Sequence, residues 1–174
     1  MKQYILICMA FMIFGCGGQN RSSAQCVLAD GKIVSVTASR GPGMRINTNT
    51  YDYTLREESG KVLLDAHYYI HNSYHDLIEI DRKDVEVSLE DMEALRRLCD
   101  TCDFVGRQKK PHKLTFYERK IENDIRDAPY NTITVIWENG AKYRESGYSI
   151  AAVPCRNELQ KFFRELVEKI MIND

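Results

Sequence analysis

The chain lacks most of the features that announce a function. It has no basic excess: 24 Lys and Arg stand against 25 Asp and Glu, for a formal net charge of −1. Nucleic-acid binding draws its affinity from cations on phosphates, so no nucleic-acid partner is expected. Lys109, Lys110 and Lys113 form a short cluster with no matching stripe, and read as a solvated loop. No apolar run beyond the N-terminal one is long enough to span a membrane. There is no internal repeat. GxSxG, HExxH and a phosphate-cradling glycine loop are all missing, which removes the sequence marks of several hydrolase and nucleotide-binding classes. Gly41-Pro42-Gly43 is a turn signal and not a P-loop. Glu118, Glu122, Asp124 and Asp127 lie in a mixed-charge stretch, and no pattern fixes the separation that a glycosidase pair requires. They read as a solvated face. No catalytic residue and no cofactor is expected.

What is present begins at the N-terminus, MKQYILICMAFMIFGCGGQNRSSAQ. Lys2 precedes an apolar run over residues 4–14. That length suits a signal-peptide core and is short for a membrane-spanning helix. Ile13-Phe14-Gly15-Cys16 follows the order of a bacterial lipobox: aliphatic, variable, small, then the Cys that is acylated. Phe14 departs from the small or β-branched residue usual there. An uncleaved anchor helix and cleavage after Ala24 are the competing readings. The expected organisation is a leader over 1–15, lipidated Cys16 opening a polar tether over 16–30, and a single domain over 31–174. Loss of Lys2 with the leader makes the mature chain one charge more negative. Several acyl chains on Cys16 would anchor it stably, where one alone binds marginally. Gly17 offers no acidic residue after Cys16, which favours the outer membrane over the inner one.

Cys8 leaves with the leader and Cys16 takes lipid, so Cys26, Cys99, Cys102 and Cys155 remain. An oxidising envelope allows disulfides, and four cysteines permit three full pairings. The preferred bond is Cys26 with Cys155. Cys99-Asp100-Thr101-Cys102 has redox-motif spacing, but it falls near a helix C-terminus with Asp100 and Asp103 beside it. Both features raise a thiol pKa and oppose thiolate chemistry. His112 and Cys155 could join the pair at a metal, though no spacing demands it.

Alternation of apolar and polar residues predicts strands at 32–39, 50–58, 62–69, in DLIEI and DVEVS, at 113–119, and in the hairpin 131–146. Asn139-Gly140 favours a two-residue turn in that hairpin. Ser88 with Asp91 forms a variant capping box for a helix through Cys102, with Leu89, Met92, Leu95, Leu98, Cys99 and Cys102 inward. A last helix follows Pro154, with Leu159, Phe162, Phe163, Leu166, Val167 and Ile170 inward. The fold class expected is α+β: an antiparallel β-sheet with two amphipathic helices packed on one face.

HYYIHNSYH places His67, His71 and His75 four residues apart. On a strand they share a face but stand about 13 Å apart, too far to meet at one zinc. On a helix neighbours approach to about 6 Å, and the outer two remain about 12 Å apart. Only a loop could gather all three, with Asp65, Asp76 or Glu79. Strand or loop histidines are the preferred reading; a metal-dependent or redox enzyme using these histidines or Cys99 and Cys102 is the alternative. Tyr51, Tyr53, Tyr68, Tyr69 and Tyr74 offer a candidate contact face for a protein, peptide or glycan partner. Cross-strand packing of the same rings competes with it.

The layout resembles small, uncharacterised lipoproteins of Bacteroidota and related gut bacteria. The likeness rests on Ile13-Phe14-Gly15-Cys16, TYDYTLREESGK, VSLEDMEALRRL, and DAPYNTITVIWENGAKYRESGYSIAAVP running into an amphipathic helix. It implies an α+β lipoprotein domain with no assigned activity. The expectation is a non-enzymatic binding domain, lipid-anchored at the bacterial envelope; an immunity-type protein that blocks a toxin is a further version of it.

Overall fold

Period-two burial dictates the architecture. In Asn131–Trp137 the residues Asn131, Ile133, Val135 and Trp137 are buried and those between are half-buried. Tyr51, Tyr53 and Leu55 repeat the pattern in Thr50–Glu58. Successive side chains of a strand point to opposite faces, so each strand offers one apolar face to a common core. The computed structural model describes residues 27–41, 50–71, 77–111, 113–124, 129–148, 153 and 155–173.

Six strands run β1 (Ile33–Arg40), β2 (Thr50–Glu58), β3 (Lys61–His71), β4 (Leu77–Val87), β5 (Asn131–Trp137) and β6 (Lys142–Gly147). They form one antiparallel sheet in the order β4-β3-β2-β1-β5-β6. Among the described residues four helices accompany them: α1 (Leu89–Thr101), α2 (Phe104–Lys109), α3 (Phe116–Asp124) and α4 (Arg156–Asn173). Met92, Leu95 and Cys99 of α1 join Leu159, Phe163, Leu166 and Val167 of α4 over the apolar face. The opposite face carries Ser35, Thr37, Ser39, Thr54, Thr132 and Thr134, all half-exposed. The α+β class and the antiparallel sheet are as the sequence implied; α2 and α3 are additional helices.

Turn chemistry sets the register. Ser59 and Gly60 both take positive φ, 52° and 79°, and close β2 on β3 in a two-residue turn with Glu58 opposite Lys61. Such a turn needs positive φ at both central residues. The β5–β6 turn differs from the expected two-residue form. Gly140 N–H donates to Trp137 O at 2.9 Å, and only Gly140 of the Asn-Gly pair takes positive φ, 78°. It is a three-residue loop with glycine at its last position. Asn139 serves instead as a clamp, accepting from Ala141 N–H and donating to Leu28 O.

Three other expectations are corrected. Residues 113–119 are no strand, because α3 begins at Phe116. Thr115 N–H donates to Glu118 Oε2, and Glu118 N–H donates to Thr115 Oγ1. That is a capping box at Thr-x-x-Glu, a helix-start signal stronger than the local alternation. LIEI and DVEV belong to one strand, β4, with a bulge where Leu64 and Ala66 oppose Val85 and Arg82. Asp84 holds the positive φ there, 56°, and its N–H donates to Asp65 Oδ1 while its carboxylate meets Arg56. Leu89 is exposed rather than inward. The capping box of α1 is present, with Ser88 and Asp91 exchanging hydrogen bonds.

The tyrosines divide between the two faces. Tyr51 and Tyr53 are 7% and 5% exposed and stack at 5.0 Å; Tyr53 also stacks on Phe163 of α4 at 5.4 Å. Tyr53→Ala should therefore destabilise the domain by roughly 3 kcal/mol, since truncating a buried aromatic leaves a cavity. Tyr69→Ala, on the open face, should change stability by less than about 0.5 kcal/mol. Urea denaturation of the two variants checks this; equal effects would contradict the assigned faces.

Candidate functional site

The concave site follows from two local devices. At the end of α1, Asp103 takes positive φ, 50°, and its carboxylate accepts from Gly106 N–H to cap α2. A side chain at Gly106 would collide with that carboxylate. The reversal sends Phe104 into the core, 5.1 Å from the Tyr143 ring. Across from it, Gly31 takes φ 81° beside Glu138, where a Cβ would meet the Glu138 carboxylate. Glu138 N–H donates to Lys32 O, and Lys32 N–H donates to Glu138 Oε1. Between these devices lies a cleft of about 360 Å³, lined by Ile33, Arg96, Cys99, Phe104, Val105 and Trp137, with Asp100 and Asp103 also on its walls.

Arg96 is committed to structure. Its Nε donates to Ile33 O at 2.8 Å, and its two terminal nitrogens meet Glu57 and Glu93 at 2.5 Å each. Lys32 Nζ also reaches Glu57, at 2.8 Å. Hydrogen bonds from Lys32 and then Arg96 hold the Glu57 carboxyl below its ordinary value, against the opposing effect of burial. These contacts fasten α1 to the start of β1 and to β2.

Cys99 is the free thiol of this cleft, 2% exposed. Burial, with a smaller contribution from the Asp100 charge, pushes its pKa up to about 12. A thiol must ionise to attack, so Cys99 is a protonated core residue at neutral pH. Cys102 is not its partner. Cys102 is bonded to Cys155, with Cα atoms 5.9 Å apart, and this replaces the expected Cys26–Cys155 pair. The reason is placement: Cys102 ends α1 and Cys155 opens α4, and both helices pack on the same sheet face. Cys16 and Cys26 lie outside the described residues.

The other expected features do not assemble. His67 faces the open side of β3, with Nδ1 3.6 Å from Asp81 and Nε2 3.7 Å from Glu79. Those separations are longer than hydrogen bonds. His71 ends β3, and His75, Tyr74, His112 and Asp127 lie outside the described residues. Among the described residues no group of three or more His, Cys, Asp or Glu gathers as a metal site. The proposed tyrosine contact face is corrected too. Tyr51 and Tyr53 are core, and half-buried Tyr68 tilts against Tyr53. Tyr69 points the other way and donates to Glu79 at 3.0 Å. Alternation along β3 puts Tyr68 and Tyr69 on opposite faces, so one surface cannot hold all the rings. Glu118, Glu122 and Asp124 lie on α3, where Glu118 caps the helix and Glu122 accepts from Tyr148 N–H.

Sequence reasoning missed the cleft itself. Its best signal was Trp137 at the end of a strand directly before a Gly-containing turn. No family model matches the chain, and no curated protein or solved structure matches it. Among the described residues no helix is long and apolar enough to cross a membrane.

The Cys99 environment gives a direct test. Alkylation of the native protein should leave Cys99 unmodified at neutral pH. The rate should climb about tenfold per pH unit toward the raised pKa, and unfolding should restore ordinary thiol reactivity. Mass spectrometry of the alkylated peptide reads the outcome; rapid labelling of the native chain at neutral pH would contradict it.

Proposed function

We propose that this protein is an envelope lipoprotein that holds a small α+β binding domain at a membrane through acylated Cys16. The observation that carries the reading is Ile13-Phe14-Gly15-Cys16 at the end of the apolar run over residues 4–14. Two structural facts support it. Val27–Ala29 are tied to one end of the domain: Gln108 donates to Val27 O and accepts from Ala29 N–H, and Asn139 donates to Leu28 O. The segment carrying Cys16 thus joins the domain beside Gln108 and Asn139. The cleft, for its part, has exposed Val105 between charged walls, while its thiol is held protonated. Apolar surface with a few polar groups suits recognition of a peptide or glycan. Anchoring raises the effective concentration of such a domain for other envelope components.

Expression in a Gram-negative host with radiolabelled palmitate checks the anchor. The chain should take up label and fractionate with membranes, and Cys16→Ala should do neither. Unlabelled parent chain in the soluble fraction would defeat the reading.

A further inference from the structure

The most exposed aromatic rings of the described chain stand together. Phe116 is 75% exposed and Tyr117 78%, and they hold an edge-to-face contact at 6.2 Å. The fold places both rings outward. Leu114 packs against the core just before them, and the Thr115–Glu118 capping box sets them in the first turn of α3.

Charge gathers in the same stretch of the sequence. Residues 107–120 hold six Lys or Arg and the single carboxylate of Glu118, in a chain whose formal net charge is −1. Arg107 is paired with Glu145. Lys109, Lys110, Lys113, Arg119 and Lys120 are exposed, and none forms an ion pair among the described residues. Five exposed cations without an ion pair among the described residues thus lie within seven positions of these rings in the chain.

The third observation is where the N-terminal segment departs. Gln108, the residue before Lys109, holds Val27 O at 3.0 Å. The stretch from Cys16 to Val27 spans at most about 40 Å when extended. On the reading that Cys16 is acylated, the cationic end of the domain is kept within one domain diameter of the bilayer.

We infer that Lys109, Lys110, Lys113, Arg119 and Lys120 rest on an anionic lipid surface, with Phe116 and Tyr117 at headgroup level. Lysine and arginine are drawn to the negative potential of anionic lipid, and the attraction weakens with salt. Tyrosine suits the interface because its ring is apolar and its hydroxyl wet. The tether makes even a weak patch effective, since the surface is always near. The domain then has a fixed orientation, and the contact is separate from the Trp137 cleft.

The test uses the acylated chain purified from envelopes, carrying Tyr117→Trp. Its parent has one tryptophan, Trp137, which is 3% exposed and supplies a quiet baseline. Both proteins are reconstituted into vesicles of brominated phosphatidylcholine with or without phosphatidylglycerol. Tyr117→Trp should be quenched about twofold more than the parent in the anionic vesicles. High salt, or Lys109→Glu with Lys110→Glu, should remove the difference. Equal quenching without phosphatidylglycerol would overturn the electrostatic account. A chain that sediments with vesicles but shows no extra quenching would overturn the docking face, leave the anchor standing, and turn attention to an acidic protein surface. A chain whose mass shows no acyl groups and which does not sediment would remove the anchor and this inference together.

Discussion

The pairing of β1 with β5 is the constraint on which the rest of the domain depends. Ile33–Arg40 runs antiparallel to Asn131–Trp137, nearly a hundred residues later in the chain. Long-range pairing is costly in loop entropy and must be matched by burial. Here Val36 and Val135, directly opposed, are both fully buried. With β2 on its other side, β1 becomes an interior strand. The whole excursion from β4 through α3 must then return to the sheet. Trp137 consequently lands opposite Ile33, and the cleft between β1, α1 and α2 exists because of that placement.

A second tie acts on the helices. The Cys102–Cys155 bond closes a loop of 53 residues, from the end of α1 to the start of α4. Loop-closure reasoning gives such a bond about 4 kcal/mol of stabilisation. It joins the two helices that cover the apolar face, while Arg96 and Glu57 lock α1 to β1 and β2. The two covering helices are thus linked covalently to each other, and α1 is held to the sheet by charged hydrogen bonds.

Much of this was legible wherever local pattern and tertiary demand agree. The alternation in NTITVIW, the Ser88–Asp91 box and the apolar stripe of α4 each describe what the structure has. The misreadings share a cause: one local signal was read while a competing one prevailed. KLTFYER alternates like a strand, but Thr115 and Glu118 cap a helix. Tyr51 and Tyr53 look like recognition residues, but a strand that presents Leu55 to the core must present them too. Asn139-Gly140 marks a turn without specifying its length, because Asn139 is held by Leu28 and Ala141 rather than by its own left-handed backbone. The disulfide was beyond the sequence altogether, since it depends on which helix ends meet. The cleft was beyond it for the same reason, being assembled from Gly31, Arg96, Phe104 and Trp137.

The division of the sheet into a helix-covered face and an open face is the central claim, and oxidative footprinting read by mass spectrometry tests it in one experiment. Brief hydroxyl-radical exposure of the native protein should leave Tyr51, Tyr53, Trp137 and Phe163 nearly unmodified while Tyr69, Phe116 and Tyr117 are oxidised. Oxidation of Tyr51 and Tyr53 at the level of Tyr69 would contradict the account.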